Sequence, residues 1–135
     1  MAYQLKRAQK ITESLELVDD NGNVVDTLLI DVNPDAIMAQ YVKAQTAVTQ
    51  AKIALAKEYS DEKAKACGDA IITVMRIIFG DENAEKLLVF YEHREAELLE
   101  CVWPFLMQVI HPKLREASKE KANRLRNLTK PVGRK

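Results

Sequence analysis

Glycine, proline, cysteine and histidine are all scarce in this sequence, and each shortage excludes a class of chemistry. The four glycines, Gly22, Gly68, Gly80 and Gly133, are isolated from one another, so no glycine-rich loop is available to cradle a phosphate. Cys67 and Cys101 are the only cysteines. They form no CxxC pair and no Cys/His cluster, which leaves zinc and redox motifs unsupported. Both lie in predicted helices, where two buried free thiols are expected. His93 stands four residues before Glu97, with Glu92, Glu95 and Glu100 nearby, but the second Glu-x-x-His of a di-iron bundle is absent. That segment reads as a solvated face, its acids balanced by Arg94 and Lys86. His111 precedes Pro112 with no Ser, Cys or Asp partner that the sequence locates, and nucleophilic catalysis needs one.

Long apolar runs are missing too. Ala70 to Phe79 is the longest, about half of what a membrane helix requires, and it contains Arg76. The opening residues Met1 to Arg7 carry no apolar stretch of the kind that heads a signal peptide. A soluble, cytoplasmic, non-enzymatic chain without catalytic, metal or cofactor residues is the expectation.

What is present is helical material. Hydrophobic residues make up 47% and charged residues 30% of the chain, which suits a globular domain and opposes global disorder. Abundant Ala, Leu, Lys and Glu favour helix. At 135 residues one domain accounts for the chain. A net charge of zero conceals an imbalance. Residues 112–135 hold nine Lys/Arg against two Glu, a net of +7, and the preceding 111 residues hold eleven basic against eighteen acidic side chains, a net of −7. A basic tail on an acidic body suits nucleic acid, an acidic partner, or plain solvation.

The large apolar side chains concentrate between Ala70 and Ile110, so the core is placed there. Ile71, Ile72, Met75, Ile78 and Phe79 follow helical spacing, and Val74 and Ile77 widen the arc until most sides need cover. Gly80 suits a C′ position, and Asp81 with Glu82 suits the start of a new helix. Leu87, Leu88, Tyr91, Leu98, Leu99, Val102, Leu106 and Val109 continue the period, with a polar gap over residues 92–97. Two helices, 61–79 and 82–103, closed into an antiparallel hairpin at Gly80, are therefore predicted.

Upstream, residues 11–18 alternate as a strand with Ile11, Leu15 and Leu17 on one face. Asn21-Gly22 is a strong hairpin signal. The return strand to Val32 places Val24, Leu28, Ile30 and Val32 on one face and Val25 and Leu29 on the other. A two-stranded hairpin is marginal alone. It either docks on its own helices or also pairs with a strand of another chain. Asn33-Pro34-Asp35 starts a helix predicted over 34–59, with a four-three seam of Ile37, Tyr41, Ala44, Val48, Ala51 and Leu55. Ala39, Ala47, Ala54 and Ala56 beside it permit close helix approach. Ser60 caps the next helix. Pro104 and Pro112 should kink or break the last helix, with Pro104 equally placed to open a fresh one over 104–127. Residues 129–135 are expected to be a disordered basic tail. The fold class is thus mainly α with a small N-terminal β-hairpin (α+β), a bundle of three to four helices within a single domain, 1–128.

Candidate partner-binding residues are Leu15, Leu17, Val25, Leu28, Leu29, Ile30, Tyr41, Val48 and Leu55. Lys119, Lys121, Arg124, Arg126 and Lys130 form the basic tail.

The run Ile78-Phe79-Gly80-Asp81-Glu82-Asn83 through Tyr91, then Val102-Trp103-Pro104-Phe105, then Ile110-His111-Pro112-Lys113-Leu114, resembles the tail assembly chaperones of long-tailed bacteriophages, encoded in tail gene clusters of phages and prophages of Gram-positive bacteria. The hairpin followed by Asp31-Val32-Asn33-Pro34-Asp35 fits that arrangement. The resemblance implies a homo-oligomeric assembly factor in the cytoplasm of the bacterial host. It would bind the tape-measure protein and tail-tube subunits and be absent from the mature virion. A longer frameshifted product, joined through residues 118–135, is also implied. Two other readings stay open at this point: a small nucleic-acid-binding regulator using the basic tail, although that tail has no interleaved aromatics for stacking, and a structural tail or head-completion component.

Overall fold

The computed structural model describes residues 2–7 and 10–129. The chain is α+β: a two-stranded antiparallel hairpin, then helices. Strands β1 (Ile11–Val18) and β2 (Val24–Val32) meet at the Asn21-Gly22 turn. The Asp19 carboxylate accepts from the Asn21 and Asn23 amides, both at 2.9 Å, and Gly22 supplies the positive φ of 84° that an L side chain resists. Ile11 pairs with Val32 and Leu15 with Leu28, and the register shifts between Leu17 and Val18. One face is buried as predicted, through Ile11, Leu17, Leu28, Ile30 and Val32. Val24, expected on that face, is exposed, because it lies past the bulge that ends the regular ladder.

Asn33 caps helix α1 (Pro34–Lys57) through its side chain, which accepts from the Asp35 amide at 3.2 Å. The helix ends two residues before the predicted Tyr59. Its inner seam buries Tyr41, Ala44 and Val48, with Ile37, Ala51 and Leu55 packed at the margin. Ser60 caps helix α2 (Asp61–Phe90), accepting from Lys63 at 3.1 Å.

The predicted helix break at Gly80 is found: with φ 81° and ψ 160° this residue is non-helical and joins two helical legs of α2, 61–79 and 81–90. No connecting loop intervenes. The Asn83 amide holds the bend with both its hydrogens, one to the Phe79 carbonyl at 3.2 Å and one to the Leu29 carbonyl on β2 at 2.9 Å. Arg76 spans the bend to Glu85 at 2.7 Å and Asp81 at 3.4 Å.

The predicted helix 82–103 is also divided. Residues 91–94 form a turn, and helix α3 (Glu95–Phe105) follows. The His93 amide donates to the Leu88 carbonyl at 2.8 Å and the Glu92 amide to Val89 at 2.9 Å, the crossed pair of a Schellman motif. Glu92 and His93 take positive φ, 53° and 59°. No glycine marks this helix end, which is why the sequence pattern ran through it.

The last helix is interrupted between Pro104 and Pro112, as expected, but by a change of helix type rather than a loop. Pro104 lies inside α3, and Pro112 opens helix α4 (His111–Leu128). Between them Leu106–Ile110 form a π-helical turn, the His111 amide reaching back five residues to Leu106. In an α turn the Pro112 ring would press on the Gln108 carbonyl. The wider turn moves that carbonyl aside, so helical structure is continuous from Glu95 to Leu128. Thr129 ends it, its amide on the Arg126 carbonyl at 3.1 Å. The predicted disordered tail otherwise falls outside the described residues.

A single core joins every element, with Val74 and Met75 of α2 wholly buried beside Leu28, Ile30, Val48, Leu98, Leu106, Ile110 and Leu114. Among the described residues no polar or charged residue is buried, and no helix is long and apolar enough to cross a membrane. Cys67 is buried, but Cys101, expected to be buried, is exposed on the outer side of α3.

Gly80→Ala should lower stability by about 1–3 kcal/mol, since this backbone region is nearly closed to residues with a Cβ; nothing lies within 4 Å of an added methyl, so the cost is conformational. Gly68→Ala, in regular helix with Leu99 at an ordinary 3.6 Å, should instead raise stability by about 0.5–1 kcal/mol. Urea unfolding of the two variants checks both signs.

Candidate partner-binding surfaces

The nine apolar residues singled out from the sequence divide by burial. Leu17, Leu28, Ile30, Tyr41 and Val48 are buried, and Leu15 and Leu55 are half-buried. These seven pack into the chain's own core and do not form an open partner surface, contrary to the expectation from periodicity. Val25 and Leu29 remain exposed on the outer face of β2, at 56% and 64%. The hairpin therefore docks on its own helices and leaves one apolar face open.

A more extensive open face lies on the outer side of α1. Ala39, Val42, Thr46, Thr49, Ile53 and Ala56 repeat at three and four residues, and all are exposed, Val42 at 55% and Ile53 at 52%. This is a second seam of coiled-coil spacing, diametrically across the helix from the buried one. Between Asp35 and Lys57 the only charged residues of α1 are Lys43 and Lys52. Lys52 turns away from the seam, its ammonium 4.3 Å from the centre of the Trp103 ring. A helix exposed to water ordinarily carries charge on its outer face. Here that face is uncharged, small and β-branched. The signal was present in part in the sequence: of the alanines flanking the first seam, Ala39 and Ala56 belong to this second stripe.

A hollow of about 500 Å³ adjoins the seam, walled by Tyr41, Val42, Gln45, Thr49 and His111. The Tyr41 hydroxyl lies 2.5 Å from His111 Nδ1. Burial pushes the Tyr41 phenol up to about 12. Gln45 donates to the Met107 sulfur at 3.6 Å, while its buried Oε1 has no hydrogen-bond partner. An orphaned buried acceptor is costly unless a donor reaches it, and this one borders the open seam.

A second hollow, about 630 Å³, lies between the hairpin tip and the second leg of α2. Leu17, Val89 and Phe90 form its apolar part, and Asp26, Glu82 and Glu85 its acidic rim, with Lys86. Val89 is 65% exposed.

On α4, Lys119, Lys121, Arg124 and Arg126 are all exposed; Lys121 reaches Asp35 at the start of α1 at 3.5 Å. Lys130 lies outside the described residues. His93 is exposed in the 91–94 turn. Arg94 beside it is paired with Glu92 at 2.7 Å and Glu97 at 3.2 Å, which hold its guanidinium above its ordinary pKa. Among the described residues no three His, Cys, Asp or Glu side chains are grouped to hold a metal ion. Comparison with protein-family models, curated proteins and solved structures found no match.

Tyr91 is raised as well, to about 12, first by burial and then by its hydrogen bond with Cys101. A phenol whose folded pKa exceeds its unfolded value favours the folded state below pH ~10 and loses that contribution as pH rises toward 12. In an alkaline titration followed by tyrosinate absorbance, two of the four tyrosines should ionise late, together with unfolding. Tyr41→Phe should remove one of the late steps.

Proposed function

We propose that this chain is a non-enzymatic assembly chaperone of the phage-tail type, one that keeps the tape-measure protein soluble and brings tail-tube subunits to it in the cytoplasm of the bacterial host, without remaining in the finished particle. The observation that carries this reading is the uncharged outer seam of α1. An apolar, small-residue stripe about 26 Å long, spanning residues 39–56, is what a helix of another chain needs for close packing. Threonines and alanines let backbones approach, and Val42 and Ile53 provide apolar anchors. A tape-measure protein is long and helix-rich, so a seam reading only four-three periodicity would engage it at many positions. The exposed Val25 and Leu29 on β2 extend the apolar area available for a partner. The resemblance in residues 78–91, 102–105 and 110–114 supplies the identity of the client.

Co-expression with the tape-measure protein of the same gene cluster tests this. Wild-type chain should keep the client in the soluble fraction and co-purify with it. The double variant Val42→Glu/Ile53→Glu should change the chain's own stability by less than ~0.5 kcal/mol per site, as exposed positions do, yet leave the client insoluble. Equal capture by wild type and variant would refute the seam as the client surface.

A further inference from the structure

We propose that the basic end of α4 in one copy docks in the acidic hollow of a second copy, between its hairpin tip and the second leg of α2. This does not rest on the chaperone reading and uses a different face from the client seam.

Two observations meet here. First, the end of α4 is a helix without a floor. From Ser118 to Leu128 every residue is exposed, including Leu125 at 52% and Leu128 at 79%. Isolated helical turns of this length are marginal in water. Leu125 and Leu128 continue, past the end of the core, the helix side on which Leu114 is buried and Lys121 meets Asp35, and with Arg124 and Arg126 beside them they remain to be covered. Second, the hollow offers the complement: an apolar floor of Leu17, Val89 and Phe90 under a rim of Asp26, Glu82 and Glu85. Leucines match the floor and the cations match the rim. The net of +7 over residues 112–135 against −7 over the rest describes the same pairing at the scale of the whole chain, and such fields steer association.

The helix does not reach this hollow within its own chain. Lys113 pairs with Glu13, and Lys121 with Asp35, so α4 runs beside the open end of the hairpin, where a groove joins Lys10, Ile11 and Thr12 to Lys113 and Glu116. The acidic hollow is at the opposite end, by Leu17 and Asp26, roughly 20 Å further along β1. The cis ion pairs also show that basic α4 side chains do seat on carboxylates of this body. Because helix end and hollow are different patches, the contact is head-to-tail. Each copy offers one of each, so association continues until a ring closes or a filament grows.

Charge reversal tests the pairing. The full-length chain should sediment as an assembly at micromolar concentration, and the assembly should weaken as salt is raised. R124E/R126E, which makes the helix end acidic, should sediment as monomer. D26K/E82K, which makes the hollow basic, should do so too; all four positions are exposed. Mixed in equal amounts, the two variants restore both complementary contacts in alternation and should assemble again, which also shows that both are folded. A wild-type monomer, a single variant that still assembles, or a mixture that stays monomeric would each overturn the proposal.

Discussion

Between Ile71 and Phe79 helix α2 buries most of its circumference, leaving only Thr73 exposed and Ile72, Arg76 and Ile77 half-buried, and the rest of the architecture follows from that requirement. Ile71, Val74, Met75, Ile78 and Phe79 are all buried, with Val74 and Met75 reached by no solvent. Burying each such side chain stabilises the fold by about 1.5–3 kcal/mol. Three separate surfaces are needed to cover them. The inner seam of α1 lies along one side, and the buried face of the hairpin closes another. The continuous helix from Glu95 to Leu128 closes the third through Leu98, Val102, Leu106 and Ile110. The Asn83 side chain fastens two of these layers by bonding the last carbonyl before the bend and a carbonyl of β2 at once.

Covering α2 consumes one face of each surrounding element and leaves the others free. In α1 the free face is a second apolar seam, and in β2 it is Val25 and Leu29. The last three turns of α4 extend beyond the core altogether. These surfaces are not equivalent. The α1 seam lacks charge and suits a helix of any polarity, whereas the hollow by the hairpin tip and the end of α4 carry opposite charge and suit each other. A chain built this way leaves an uncharged helical seam on one side and a pair of oppositely charged patches elsewhere, so occupation of one need not compete with occupation of the other.

Much of this arrangement was legible in the sequence. Asn33-Pro34-Asp35, Ser60 and Asn21-Gly22 each set a boundary by local hydrogen bonding, and local chemistry is what a sequence displays directly. The inner seam of α1 and the buried face of the hairpin followed from periodicity. The misses have physical causes. The helix end at Tyr91 is made by Glu92 and His93 in left-handed conformations, without the glycine that usually signals it. Pro112 is accommodated by a π-helical turn, an outcome that depends on widening the backbone over five residues and leaves no compositional trace. Gly80 was correctly singled out as the break between two helical legs; the Asn83 bridge from the second leg to β2 is a tertiary contact that no local pattern displays. Among the partner candidates, periodicity identified the apolar residues without telling which ones the chain would bury itself. Seven of nine went to the core, and the open seam lay on the far side of the same helix.

The central claim is that α1 is held to the body by one seam and offers the other to a second chain. Amide hydrogen exchange of the full-length protein, free and bound to its client, addresses it most directly. The account predicts that binding slows exchange across residues 39–56 of α1 while the buried middle of α2 is unchanged. Unaltered exchange along α1, with protection appearing elsewhere, would contradict it.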